Sequence, residues 1–443
     1  MISNKSSEPY LKDILLRMSG MFYAKFVGFI ASIFTARILG PEEFGNVRIA
    51  MSLIVILSLF SGSFMRNALV TKVSQLDSAP QEQVNELGKV FSFVLIAGII
   101  TALVAFIIFY FFSPLSNKKS EYILLFSLPV LFLPALSQCL IGYFQGLGKL
   151  KLMTGLEIFR STLNTLFLVV FVYLFAIHGW IFGRIIGAVF SLIVIWIIFK
   201  QISKNMGKIN KFRINLNVLK NKNLLWYYKW SLLGSGIAVF VKNIDSIIVS
   251  EFLQDPRQIG FLGIAILIYS GLAMYTQSIS SATFNRVAKL AGKEKNLKSL
   301  LLRLKLITVP IYVIIAAGFY FFAEIVVTYI FSDLYLEAVP LIKIFIISSV
   351  FLNYTQLNGG FWSATGNVKL ISKYYTTISF IYITALVIFV QFYGLLGAAY
   401  ATLLSTFLGL ILSDILTRKH IATIPDEMQY NTAISSNENE LIV

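Results

Sequence analysis

From Ile14 to Leu416 the sequence is a succession of apolar runs, each near 20 residues long, parted by short polar breaks. A run of that length, at 1.5 Å per helical residue, matches the hydrocarbon thickness of a bilayer. Inside hydrocarbon every backbone N–H and C=O must find a partner within the protein, which leaves helices or a closed barrel. These runs are too long and too evenly apolar for barrel strands, whose faces alternate. Twelve helical spans are predicted, over residues 14–39, 44–65, 89–112, 121–145, 152–177, 180–199, 226–253, 259–284, 306–331, 338–362, 368–392 and 395–416. Composition agrees: 57% of the residues are hydrophobic and 13% charged, a balance at which a soluble domain of 443 residues would aggregate.

The breaks repeat. In the stretch from Ala36 to Ala50, Gly40-Pro41 is expected to stop one helix and Gly45 to let the next begin. The stretch from Glu251 to Ala265 matches it without a gap, at an offset of 215. Pro41 falls on Pro256, Gly45 on Gly260, Ile49 on Ile264 and Ala50 on Ala265. Gly148-Lys149-Leu150-Lys151-Leu152 is echoed by Gly366-Asn367-Val368-Lys369-Leu370, and Gly179 is paired with Gly394. A repeat of half the chain in a membrane protein points to a transporter of two bundles. The expected fold is an all-α polytopic membrane protein of about 12 transmembrane helices in two pseudo-symmetric six-helix bundles. These are residues 1–199 and 226–416, joined by a basic linker, 200–225, and followed by a polar tail, 417–443.

A formal charge of +16 would suggest nucleic acid in a soluble protein. Here the bases sit in loops beside apolar spans, with no folded platform for readout, so nucleic acid is excluded as a partner and the charge sets orientation. One side collects Lys5, Lys12, Arg66, Lys72, Lys89, Lys149, Lys151, the acid-free stretch from Lys200 to Lys222, the stretch from Arg286 to Lys305, and Lys369, Arg418 and Lys419. The other carries Lys118, Lys119 and Arg257. Both termini are therefore expected in the cytoplasm, with the basic linker lying on anionic lipid. Cys139 stands alone, so no intramolecular disulfide forms. His178 and His420 lack a ligand cluster, and neither metal nor cofactor is expected. No cleaved signal peptide is expected from the polar opening.

Ionisable side chains at span depth cost several kcal/mol each and usually face an internal cavity. Here bases outnumber acids. At about 100° per residue, Arg17, Lys25, Gly28, Ser32 and Thr35 fall on one stripe of the first span, and Arg48, Ser52, Gly62 and Arg66 on one of the second. Ser231, Ser235, Lys242, Asp245 and Ser246 cluster in the seventh, Ser270, Gln277 and Ser281 align in the eighth, and Lys373, Thr377, Thr384 and Gln391 in the eleventh. Stripes of small polar residues also serve helix packing. Stripes that carry cations suggest a hydrated, positive cavity. Arg17, Lys25, Arg48, Arg160, Lys242 and Lys373 are its candidate substrate ligands. Asp245 and Glu157 are the candidate ion-coupling groups, although Glu157–Arg160 and Lys242–Asp245, each three apart, can also neutralise one another on their own helices.

Taken in order, Arg37-Ile-Leu-Gly-Pro-Glu-Glu-Phe-Gly45, Gly146-Leu-Gly-Lys-Leu-Lys151, Asn243-Ile-Asp-Ser-Ile-Ile248, Gly260 to Ala265 and Gly394-Leu-Leu-Gly-Ala398 span nearly the whole chain. Through them the sequence resembles the polysaccharide-export branch of the MOP superfamily, the Wzx-type flippases of lipid-linked oligosaccharides. The resemblance implies two six-helix bundles around a cationic cavity in the bacterial inner membrane. It implies as substrate an undecaprenyl-diphosphate-linked oligosaccharide (an O-antigen or capsule repeat unit), moved from the cytoplasmic to the periplasmic leaflet. It also implies membrane lipid, a polysaccharide polymerase and a chain-length regulator as partners. A pyrophosphate cannot cross hydrocarbon bare, and Arg and Lys are suited to hold it. Tyr269, Tyr275, Tyr354 and Trp362 are candidates to stack on sugar faces.

No glycine-rich loop ending in Lys-Ser or Lys-Thr is present, so the chain is not itself a P-loop ATPase. Two rivals follow. A cation-coupled multidrug antiporter of the same fold would be expected to carry an acid-rich cavity, against the basic excess here. A membrane polymerase or glycosyltransferase needs an outward catalytic loop, and every outward loop here is short, the longest near Ser113–Ser120. The chain is expected not to be an enzyme.

Overall fold

The computed structural model describes residues 7–76, 80–205, 218, 222–232, 236–290, 297–365 and 367–422. Most of the basic linker and nearly all of the tail lie outside them. Among the described residues there is no strand. By contacts the chain divides into two compact units, Met1–Gly260 and Phe261–Val443.

The first unit holds α1 (Ser7–Ser58), α2 (Met65–Gln75), α3 (Pro80–Ile107), α4 (Lys118–Phe126), α5 (Leu133–Gly146), α6 (Leu150–Asn205), α7 (Lys222–Ser231), α8 (Ile237–Leu253) and the start of α9 (Pro256–Leu290). The second holds the rest of α9 with α10 (Leu297–Phe321), α11 (Ala323–Val326), α12 (Val339–Ala364), α13 (Val368–Tyr393) and α14 (Leu395–Ala422). Among the described residues, nine stretches are long and apolar enough to cross a membrane. Two of the nine bend sharply, so each carries two spans: α1 at Gly40 (φ 74°, ψ 173°) and α6 at Ala176 (φ 48°, ψ −124°). The seventh expected span is covered by α7 and α8. The twelve expected spans are thereby accounted for, and the chain is a multi-pass membrane protein.

The bends correct two details of the sequence reading. Helix resumes at Pro41, directly after Gly40, because proline lacks the N–H that a first turn would leave unbonded and is preset for the helical φ. Gly45 is not the start signal. It is a contact point: a Cβ there would strike the Pro256 carbonyl, and a Cβ on Gly260 would strike the Pro41 carbonyl. The two matching proline junctions thus dock on each other reciprocally, each glycine admitting the other's backbone.

Ala176 turns α6 with a backbone that a non-glycine residue adopts at a cost of about 1–3 kcal/mol. Gly394 makes the same turn before α14 (φ 57°, ψ −135°). Three residues on, Gly179 receives the Phe171 carbonyl and Gly397 the Phe389 carbonyl. Ala176 therefore corresponds to Gly394 and Gly179 to Gly397, at the offset of 218 that also relates Gly148 to Gly366. The Gly179–Gly394 pairing is out by three residues, because identity of residue type outvoted the conformation each position needs. A further match is conformational only. Ile108–Phe112 and Val327–Phe331 are both widened, π-type turns, followed by left-handed Ser113 (φ 44°) and by Ser332 (φ 148°).

In the first unit, Leu69, Val73, Leu87, Val94, Leu140, Phe144 and Ile195 form one core between α2, α3, α5 and α6. Ala50, Ile54, Ile123, Leu124, Val172 and Trp180 form another, towards the bends. In the second, Leu301, Phe361, Trp362 and Tyr374 join α10, α12 and α13. α1 and α6 approach closely: Gly20 faces the Thr154 methyl, and Ser161 Oγ donates to the Ala24 carbonyl at 3.1 Å. The links at one end of the first unit are tied by polar side chains. Asn117 Nδ2 donates to Asn46 Oδ1 (2.8 Å), Ser116 Oγ to Glu251 Oε2 (2.7 Å), and Lys119 pairs with Glu43.

Candidate functional site on the first unit

The two mid-span lysines that the sequence singled out lie on two helices that pack against each other. Lys25 lies on the exposed face of α1 and Lys242 on that of α8, close enough for their charges to act on each other. α8 packs along α1, which is why two residues 217 positions apart can meet. Like charges at span depth repel unless water or an anion stands between them. A pair of ammonium groups is therefore a candidate place for an anion.

Beside them, Arg48 and Asp245 meet through a serine. Arg48 Nε donates to Ser246 Oγ at 3.2 Å, and Ser246 donates to Asp245 Oδ1 from its backbone N–H (2.6 Å) and its hydroxyl (3.1 Å). Asp245 and Ser246 are buried while Lys242, on the same helix, is exposed. The carboxylate is thus held by Ser246 and faces the Arg48 charge, rather than being paired with Lys242 one turn away. Its position next to the cations at depth keeps it a candidate for proton or ion exchange.

Glu157 pairs with Arg66 of α2 (2.7 Å), not with Arg160 on its own helix. Arg66 also donates to Gln138 and, at 3.0 Å, to Gln145, both on α5. Arg160 is half-buried, and its Nε has no acceptor. Lys373 is exposed on α13, in the second unit. Arg17 lies on α1, but its side chain, like those of Ser231, Ser235 and Ser281, is outside the described residues.

Most hydroxyls of the polar stripes bond their own helix. Ser32 Oγ donates to the Gly28 carbonyl (3.0 Å), Thr35 to Ala31 (2.8 Å) and Thr377 to Lys373 (2.9 Å). Those positions let helices pack, and the cations among them are what reaches outward. Of the aromatic candidates, Trp362 is fully enclosed with its indole N–H on Thr417 (2.9 Å), and so cannot stack on a sugar. Tyr269 packs edge-on against Phe345, and Tyr275 stacks on Tyr312. Tyr354 is held by donating to Asp414 (3.0 Å) beneath the Lys305 ammonium, 3.9 Å from its ring. The sequence reading missed that cluster, in which Arg418 also pairs with Asp414 at 2.8 Å. It missed Arg66 as a centre too, although Arg66 ends the polar stripe of the second span. Among the described residues no group of His, Cys, Asp and Glu could hold a metal.

Residues 34–340 match the family described as polysaccharide biosynthesis protein, and the chain belongs to that family. It is 25% identical to the uncharacterized membrane protein MJ1375 of Methanocaldococcus jannaschii, over 93% of this chain and 99% of that one. MJ1068 of the same organism is 18% identical over 90% of this chain and 82% of its own length. An inward-facing multidrug resistance MATE family transporter of the MOP superfamily superposes with TM-score 0.72 at 15% identity, covering 95% of this chain and 99% of that one. The lipid II flippase MurJ, in an inward closed conformation, gives 0.73 at 16% identity, covering 94% and 89%. The chain shares its fold with both of these membrane proteins.

Proposed function

We propose that the protein is a flippase that carries a polyprenyl-diphosphate-linked oligosaccharide from the cytoplasmic to the outer leaflet of the cytoplasmic membrane. The single observation that carries this reading is a set of cations at span depth on two packed helices, exposed Lys25 and half-buried Arg48 of α1 with exposed Lys242 of α8, where Arg48 donates across to Ser246 at 3.2 Å. The substrate's diphosphate brings negative charge to the two lysines, and Arg48 and Arg160 extend the positive field along the same unit. Membership of a polysaccharide biosynthesis family and the fold shared with a lipid II flippase support a lipid-linked sugar as cargo. Lys373, exposed on the second unit, is a candidate substrate ligand on its charge and exposure alone. Orientation follows from the loop charges, which put both termini in the cytoplasm. Asp245 is the group proposed to exchange a proton or cation during the cycle, since it is buried, hydrogen-bonded and next to Arg48.

The multidrug reading of the fold gains nothing from these residues: a cationic drug would be repelled by paired lysines. The test is Lys25→Ala and Lys242→Ala in cells whose surface polysaccharide depends on this protein. Each variant is expected at near-normal membrane abundance, with lipid-linked sugar accumulating on the cytoplasmic leaflet. Normal polysaccharide output from normally abundant variants would remove the lysine pair from the substrate path.

A further inference from the structure

A second charged centre in the first unit is left unbalanced. Arg66, Glu157 and Arg160 bring two guanidinium groups and one carboxylate together on α2 and α6, with Gln138 and Gln145 of α5 behind them. The Arg66 and Glu157 side chains are only 20% and 13% exposed. The nook is built for the arginine: a Cβ on Gly142 of α5 would lie 2.8 Å from Arg66 Cγ. Glu157 is taken by Arg66, and Arg160, three residues on, feels both of these charges. Its Nε–H is buried with no acceptor. A guanidinium donor left without a partner inside a span costs several kcal/mol, and neither lipid tails nor a shared carboxylate can supply what is missing. The missing partner is an anion with several acceptor oxygens, for which a planar guanidinium fork is well matched.

We infer that Arg160, Arg66 and Glu157 form a binding station for a phosphate-type dianion, in which Glu157 is the built-in anion that the ligand competes with. The anion chemistry stands on these residues alone; the assignment of the natural ligand as the diphosphate head of a lipid rests on the function proposed above. In that setting the station adjoins Ser161, whose hydroxyl donates to the Ala24 carbonyl next to Lys25, and Glu157 competes with the head group for the two guanidinium groups. Arg66 acts as a positioning residue, since its bonds to Glu157, Gln138 and Gln145 fix the carboxylate and tie α2 to α5 and α6.

The experiment is calorimetric titration of the purified full-length protein in detergent with inorganic pyrophosphate, in a Lys25→Ala/Lys242→Ala background. Arg160→Gln is expected to weaken the remaining binding at least tenfold, and Arg160→Lys to weaken it less. Glu157→Gln keeps an acceptor for Arg66 while removing the competing charge, and is expected to tighten binding several-fold. Thermal unfolding of each variant within a few degrees of the parent shows that the fold is kept. Binding that ignores both changes, or that Glu157→Gln weakens, overturns the station. If the lysine background abolishes pyrophosphate binding outright, the station falls and the lysine pair stands. If the background leaves binding intact and Arg160→Gln removes it, the station stands and the lysine pair falls. Farnesyl diphosphate displacing pyrophosphate supports the lipid head group as ligand, and displacement by inorganic phosphate but not by farnesyl diphosphate overturns that source.

Discussion

Asp245 shows how little a charge's place in sequence says about its partner. One helical turn from Lys242, it would neutralise that lysine on an isolated helix. In the folded unit it is buried, accepts two hydrogen bonds from Ser246 and faces Arg48, while Lys242 is exposed. Two expectations follow. Asp245→Ala takes the acceptor from the Ser246 hydroxyl and the facing carboxylate from Arg48, and should lower stability by about 1–3 kcal/mol, read as a drop in Tm in detergent. Asp245→Asn keeps an acceptor, so membrane abundance should stay near normal while gradient-driven transport is lost. Undiminished gradient-driven transport by Asp245→Asn would exclude this carboxylate from coupling. Trp362 makes the opposite case, an aromatic residue with a packing role. Trp362→Phe removes the bond to Thr417 and should cost about 1–2 kcal/mol while leaving transport by the folded protein unchanged.

Among the helices, the decisive contacts are between backbones. The Pro41 and Pro256 carbonyls lie against Gly260 and Gly45, and no flexible side chain is there to yield. Gly45→Ala and Gly260→Ala must each force α1 and α9 apart, at an expected cost of about 1–3 kcal/mol. Gly155, inside α6, has open space where a methyl group would stand, with nothing within 4 Å. Gly155→Ala should therefore stabilise the helix by about 0.5–1 kcal/mol. Tm measurements on the three variants separate the two kinds of glycine, and equal behaviour would defeat the docking argument. At this scale the repeat was legible in residue types at Pro41/Pro256 and Gly148/Gly366. It was illegible at Ala176/Gly394 and at the π-type turns, where different residues adopt one backbone shape.

For the whole molecule the sequence predicts a direction of insertion as well as a set of helices. With Cys139 replaced by Ala, a cysteine at Lys118, which is exposed at the start of α4, should react with an impermeant thiol reagent added outside intact cells. A cysteine at Asn210, in the basic linker, should react only after the membrane is opened. The reverse pattern would invert the orientation and, with it, the direction proposed for transport. The cap of α4 is kept in the Lys118 variant, since that role belongs to Asn117, whose side chain accepts from the Ser120 N–H.

By itself the sequence determined the medium, the elements and their number: runs of bilayer length admit only helices, and proline, glycine and loop charge divide and orient them. It also limited the candidate ligands to a handful of cations, since charge inside a span is costly enough to be rare. Only the tertiary structure decided which of those cations meet. Helical periodicity fixes the face a residue shares within its own helix and carries no information about the helix across from it. Hence Lys25 and Lys242 could be named but not paired, and Glu157, legible as an ion-coupling group or as a partner of Arg160 on its own helix, is met instead by the Arg66 that α2 delivers. Trp362 was placed among cavity residues when α12 turns it into the core of the second unit.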